Sequence, residues 1–197
     1  MENMISTSNS SSRKEFTMPL GRVNFIALIM LVPLLIILGF PYLLMHGFGS
    51  LSLHNLRLTN LFQNSLFFLL FFIGGIVLHE LLHGSVWALF AKKGWKAISF
   101  GIKWEYFTPY CHCNEPLKKF HFVLGAIMPC IVMGLTPVII SYFNGSFRWW
   151  FFGVFFTAAA GGDLIAVWML RKVGKEKYIQ DHPSELGFYV EDNYSDI

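Results

Sequence analysis

LFQNSLFFLLFFIGGIVLHELLHGSVWALFA, residues 61–91, decides how this chain is read. The run contains one carboxylate, Glu80, and no Lys, Arg or Asp. At 1.5 Å per residue it exceeds the ~30 Å needed to cross a hydrocarbon core, so a helix here tilts or protrudes. Inside it stands His79-Glu80-Leu81-Leu82-His83. On a helix, H-E-x-x-H puts two imidazoles one turn apart on one face. That is the spacing of a zinc-ligand pair, with the Glu beside them as general base. Ionisable groups are costly in such surroundings and mark functional sites.

Working outward, the composition agrees with a membrane setting. Of 197 residues, 54% are hydrophobic, 14% are charged and 21 are Phe. This excludes a disordered or nucleic-acid-binding chain and points to a polytopic membrane protein. The net charge of +3 is too small to name a partner by its sign. Three Cys residues form no disulfide framework. The first apolar run is longer than a signal-peptide core and lacks a small-x-small cleavage site, so it reads as an uncleaved anchor.

Four spans are expected: about Val23–Met45, Leu61–Ala91, Leu117–Phe143 and Phe147–Leu170. Pro41 should kink or end the first, and Pro129 and Pro137 should kink the third. Residues 46–60, with His46, His54 and Arg57, read as a short polar loop. Between spans two and three, Ile98, Phe100, Ile102, Trp104 and Tyr106 alternate with more polar residues. Period two predicts a strand, and Thr108-Pro109 turns it into a partner, Tyr110–Cys113. The expected fold is an all-α membrane protein: four transmembrane helices with a short cytosolic β-hairpin between helices two and three. Residues 1–18 read as a flexible tail, 19–175 as the membrane-embedded unit and 176–197 as a polar C-terminal tail.

Charge bias sets the orientation. Thirteen of the fifteen Lys and Arg fall on the side holding both termini and the hairpin; Arg57 and Arg148 fall on the other. The positive-inside rule then makes both termini and the hairpin cytosolic. Cys111 and Cys113 would sit in a reducing compartment as thiols. Trp149-Trp150 reads as an interface anchor at the outer edge.

The four spans contain only two carboxylates, Glu80 and Asp163. Asp163 follows Ala158-Ala159-Ala160-Gly161-Gly162, and the second span carries Gly74, Gly75 and Gly84. Small faces on both helices would let them pack closely. Counted from the cytosolic helix ends, His83 and Asp163 lie at similar depth, ~10–12 Å in. Zinc held by His79, His83 and Asp163 would keep its fourth position open to water, with Glu80 accepting the water's proton. Otherwise Asp163 pairs with a basic residue or caps a broken helix. His112, Asn114 and His121 are further candidates for substrate or oxyanion contact. His121 also reads as an interface residue snorkelling to water. Cys111-His112-Cys113 lacks zinc-knuckle spacing and reads as structural thiols. The strand at residues 98–106 either rests its apolar face on the membrane or pairs with an extended substrate by β-augmentation.

H-E-L-L-H-G in a span, the following strand region, Tyr110–Pro116, a Pro in the third span and Gly162-Asp163 in the fourth together resemble one family. It is the family of small four-span bacterial membrane proteins described as putative zincin peptidases, similar in plan to intramembrane site-2 metalloproteases. The resemblance covers about residues 60–190. It implies zinc ligation by His79, His83 and Asp163, with Glu80 as catalytic acid/base. The leading expectation is a zinc-dependent endopeptidase in the cell membrane, acting on membrane-embedded or membrane-proximal protein substrates. The rival is a non-catalytic membrane protein whose metal site serves structure or sensing and which acts by binding partners. Glu80 separates the two, because a structural zinc site needs no such base. A metal-dependent hydrolase of lipid or other small amides shares the same residues and differs only in substrate.

Overall fold

A computed structural model describes residues 6–10, 13–51, 58–104, 108–182 and 186–191. Two long helices come first, α1 (Leu20–His46) and α2 (Leu58–Phe90). Pro41 does not end α1, which runs on to Gly47. Proline loosens the carbonyls one turn back. Leu38 O, in that turn, accepts hydrogen bonds from Tyr142 Oη and Trp150 Nε1, each at 2.9 Å. Neighbouring helices thus satisfy the backbone that the proline disturbs.

The third apolar segment is helical from Lys119 to Asn144. It is built as α3 (Lys119–Pro129), a π-helical turn (Cys130–Leu135) and α4 (Thr136–Asn144). The widened turn lies between Pro129 and Pro137, where expectation placed kinks. Thr136 Oγ1, at the start of α4, donates back to Ile131 O in this turn at 2.8 Å. The fourth segment is broken. α5 (Phe147–Ala159) and α6 (Gly161–Met169) meet at 42° around Ala160. Among the described residues, three helical segments are long and apolar enough to cross a membrane, with mean hydropathies of 2.7, 1.7 and 2.3, and a fourth if α5 and α6 are one bent span.

The strands correct the all-α expectation. The hairpin is present, as β3 (Ile98–Lys103) and β4 (Thr108–Cys113), with Gly101 opposite Tyr110. The strand expected through Tyr106 stops at Lys103, and residues 105–107 lie outside the described residues. So do His54 and Arg57 of the loop before α2. A second, five-stranded antiparallel sheet was not foreseen. Its strands are β1 (Ser6–Ser10), β2 (Arg13–Met18), β5 (Leu117–Lys118), β6 (Tyr178–Asp181) and β7 (Leu186–Glu191), in the order β1-β2-β7-β6-β5. Leu117 and Lys118, expected to open a helix, pair instead with β6.

The expected flexible tail therefore contains strands, and so does the polar C-terminal stretch. Ser and Asn dominate the tail's composition, but Phe16 and Met18 alternate with Glu15 and Thr17. Met18 is buried, and Phe16 stacks on Phe188 with ring centroids 5.5 Å apart. Arg13 binds both Glu191 and Gln180, and His182 Nε2 lies 3.2 Å from Glu15 Oε1. β2 leads into α1, the hairpin follows α2, β5 leads into α3 and β6 follows α6. Sheet and hairpin thus occupy one end of the helices, over a core that includes Trp87, Phe122, Leu170, Ile179 and Phe188.

The small-residue faces do not meet each other as expected. Gly75 receives the Phe156 ring, Gly84 receives the hairpin, and Gly161 lies against Ala27 of α1. α2 packs chiefly on α3 and β4.

Candidate metal centre

One turn of α2 separates His79 from His83, and both side chains are buried. Asp163 sits in the first turn of α6, just past the break at Ala160. Its Oδ2 lies 3.3 Å from His79 Nε2 and 3.4 Å from His83 Nε2. The alternative of a helix cap is not what is seen: the Ala160 N–H is taken by Phe156 O, and the Asp163 carboxylate faces the two histidines. The donor atoms of these three residues all fall within 4.8 Å of one another. Among the described residues no other His, Cys, Asp or Glu joins that cluster.

The donor chemistry fits a divalent cation. His83 Nδ1 is 2.9 Å from Gly125 O. A carbonyl oxygen only accepts, so Nδ1 carries the hydrogen. In the neutral ring, Nε2 is then a lone pair facing a carboxylate oxygen. Two lone pairs held together in a buried site can be bridged by a cation. The separations agree: tetrahedral zinc with bonds of ~2.0–2.1 Å spaces its ligand atoms ~3.3–3.4 Å apart. A His whose other nitrogen is fixed by a backbone carbonyl is also the usual outer-shell arrangement of a metal ligand. His79 Nδ1 is buried without a hydrogen-bond partner among the described residues.

Packing holds the rings. His83 stacks on Trp87, and Trp87 stacks on Phe122, each pair at 5.3 Å and 20°. Trp87 Nε1 donates to Phe122 O at 3.1 Å. This stack is admitted by Gly125, where a Cβ would come within 2.1 Å of Trp87 Nε1. Gly125 thus gives room to the indole that braces His83 and a carbonyl to His83 itself. His79 rests on Phe156, at 6.3 Å.

Glu80 faces the hairpin. The motif's next residue, Gly84, explains why the hairpin sits so close. A Cβ there would lie 2.7 Å from Phe100, 3.0 Å from Ile98 and 3.2 Å from Cys111 Sγ. Asn114 N donates to Ala97 O, which fixes the phase of the β3–β4 ladder. Alternation then turns the backbone groups of Cys111 away from β3. The Cys111 N–H is directed at the Glu80 carboxylate. Burial, then the Glu80 carboxylate, push the Cys111 thiol well above the ordinary thiol range. Burial pushes the Cys113 thiol up to about 11.

A cavity of about 410 Å³ opens on these groups. α2 gives it His79, Glu80 and His83, and α6 gives it Asp163. β4 contributes Tyr110, Cys111 and His112, and α1 contributes Asn24. His112, a sequence candidate, is therefore brought to the site. Its Nδ1 lies 3.0 Å from Asp181 Oδ2. Asp181, also in the cavity wall, was not foreseen; burial raises its pKa, opposed by His112. The other two candidates do not line the cavity. His121 stacks on Phe90 at 3.9 Å, and Asn114 Nδ2 binds Ala97 O and Ser99 Oγ within the hairpin.

The profile of the family described as putative zincin peptidase matches residues 72–178. That range holds the histidine pair, Glu80, the hairpin and Asp163. No curated protein and no solved structure matches the chain.

Proposed function

This chain belongs to the family described as putative zincin peptidases, and from that premise we propose that it is a zinc-dependent endopeptidase acting within or beside a membrane. The observation that carries the reading is the convergence of His79 and His83 on Asp163, each Nε2 3.3–3.4 Å from its Oδ2, with Glu80 in the same cavity. Zinc held by those three residues would polarise the scissile carbonyl and make a nearby water acidic. Glu80 takes the proton from that water and returns it to the leaving amine. The Cys111 amide and the seating of the hairpin on Gly84 keep the Glu80 carboxylate turned to the cavity. Trp87 and Gly125 hold His83 in one orientation.

The membrane setting is supported by the apolar helices and by Lys and Arg concentrated at the sheet end. In this reading the chain crosses the cell membrane four times, with both termini cytosolic. α5 and α6 make one span, bent where Asp163 must reach the histidines. The cavity lies at the cytosolic ends of α2 and α6, where water can enter.

The substrate is an extended peptide, since a helical peptide bond is shielded by its own hydrogen bonds. β4 borders the cavity from Thr108 to His112, whereas β3 reaches it only at Lys103, so substrate lies along β4 with the Cys111 carbonyl as a backbone acceptor. The reading is tested on purified protein in lipid vesicles, by zinc analysis and cleavage of reconstituted single-span peptides. Wild type should hold zinc and cleave; Glu80→Gln should hold zinc and not cleave.

A further inference from the structure

His112 and Asp181 form an ionisable pair that none of the chemistry above uses. Their Nδ1–Oδ2 separation is 3.0 Å, and their side chains are only 13% and 21% exposed. Both line the cavity that holds Glu80. Neither contributes to the cluster of three metal-donor atoms. His112 Nε2 has no protein partner among the described residues. Both residues stand on strands, β4 and β6, so their mutual geometry is held by backbone rather than by long side chains.

The plain structural role for such a pair is to tie β4 to β6. That tie exists next door without it: Gln180 Nε2 donates to Asn114 O at 3.1 Å. A buried ionisable pair is also a poor stabiliser, since its desolvation offsets its attraction. The pair instead stands in the wall of the cavity that holds Glu80, where a second donor can meet a bound ligand.

We propose that His112 is a second catalytic group of this cavity, donating Nε2–H to the carbonyl oxygen of the peptide under attack, with Asp181 as its positioning residue. The inference rests on the hydrolase reading. The role requires two protons on the pair, since a single proton would sit at Nδ1 toward Asp181 and leave Nε2 a bare acceptor; of the two, one is shared across Nδ1···Oδ2. Whichever atom holds that proton, Nε2 carries the other. As the water oxygen bonds to the carbonyl carbon, the carbonyl π pair moves onto oxygen, and a donor already in place stabilises that charge. No proton leaves His112 in this step, so Glu80 alone handles the water's proton. A single oxyanion donor of this kind is worth on the order of 10²–10³ in kcat.

Two variants separate this role from a structural one. In His112→Asn the side-chain amide keeps a donor near the Nδ1 position and deletes Nε2. In His112→Gln it offers an N–H near the Nε2 position. Both are compared with wild-type zinc protein in phosphatidylethanolamine/phosphatidylglycerol vesicles. For His112→Asn we expect unchanged zinc content and Tm, KM within about twofold, and kcat lower on the order of 10²–10³-fold. His112→Gln should recover part of that loss. Binding supplies a readout free of turnover. Affinity for a phosphonamidate peptide, whose tetrahedral oxygens mimic the oxyanion, should fall at least tenfold in His112→Asn, while affinity for a peptide hydroxamate holds. Equal phosphonamidate affinity in wild type and His112→Asn would overturn the proposal. So would a kcat loss that follows loss of zinc or of Tm. A wild-type protein that holds zinc and cleaves nothing sinks the hydrolase reading and the catalytic role of His112 with it, whereas cleavage by wild type with equal phosphonamidate affinity in both proteins sinks the His112 role alone.

Discussion

His83 donates its Nδ1–H to the carbonyl oxygen of Gly125, 2.9 Å away on the facing helix α3. The bond fixes both ring orientation and tautomer, so that Nε2 is free to bind a cation. Gly125 thereby supports a proposed metal ligand directly through its backbone. Gly125→Ala would drive a methyl group into Trp87 Nε1. Overpacking of this kind costs about 1–3 kcal/mol, and loss of an outer-shell partner weakens metal binding by about 10–100-fold. A lower Tm with weaker zinc retention against a chelator series is the expected result. Unchanged Tm and zinc affinity would show that the close seat of Trp87 on Gly125 does not brace His83.

Asp163 is the carboxylate in the group of three residues that could hold a metal ion. Asp163→Asn keeps its size and removes its charge. Zinc affinity should drop by more than the ~10–100-fold typical of an outer-shell change, with helical circular dichroism preserved. Zinc bound as tightly as in wild type would remove Asp163 from the coordination sphere.

The thiols of the hairpin make a pH-dependent prediction. Burial holds Cys113 at about 11 and Cys111 higher still. A raised thiol pKa keeps the unreactive neutral form, so at pH 8 only about 0.1% of Cys113 is thiolate. Iodoacetamide at pH 8 should leave both unlabelled in the native protein and label both after denaturation, as read by mass spectrometry. Rapid native labelling would mean that the hairpin opens away from Gly84.

The N-terminal strand should matter for stability. Met18 is fully buried beneath the five-stranded sheet. Met18→Ala should cost about 2–5 kcal/mol, as other buried Met truncations do. Thermal unfolding in detergent would register it, whereas an unchanged transition would indicate that β2 does not dock on β7.

The centre of the site was readable because its signals are local or scarce. H-E-x-x-H needs only helical spacing, and Asp163 stood out as one of two carboxylates in the apolar spans. The hairpin was readable from strict alternation at Ile98–Lys103. The five-stranded sheet was not, because β2 pairs with β7 across more than 160 residues of chain and its apolar alternation is only Phe16 and Met18. Asp181 and Gly125 escaped for a related reason. Asp181 sits in a polar stretch of the sequence, and only the β6 strand turns it toward His112. Gly125 is one glycine among seventeen, and its role depends on Trp87 arriving from another helix. The break at Ala160 was hidden because alanines and glycines suit both a close helix contact and a weak helix.

The most direct test of the central claim is paired zinc analysis and peptide cleavage by wild type and Glu80→Gln in lipid vesicles. The geometry predicts one zinc per chain in both proteins, with cleavage of reconstituted single-span peptides by wild type alone. A wild-type protein without zinc, or a Glu80→Gln variant that cleaves at the wild-type rate, would contradict it.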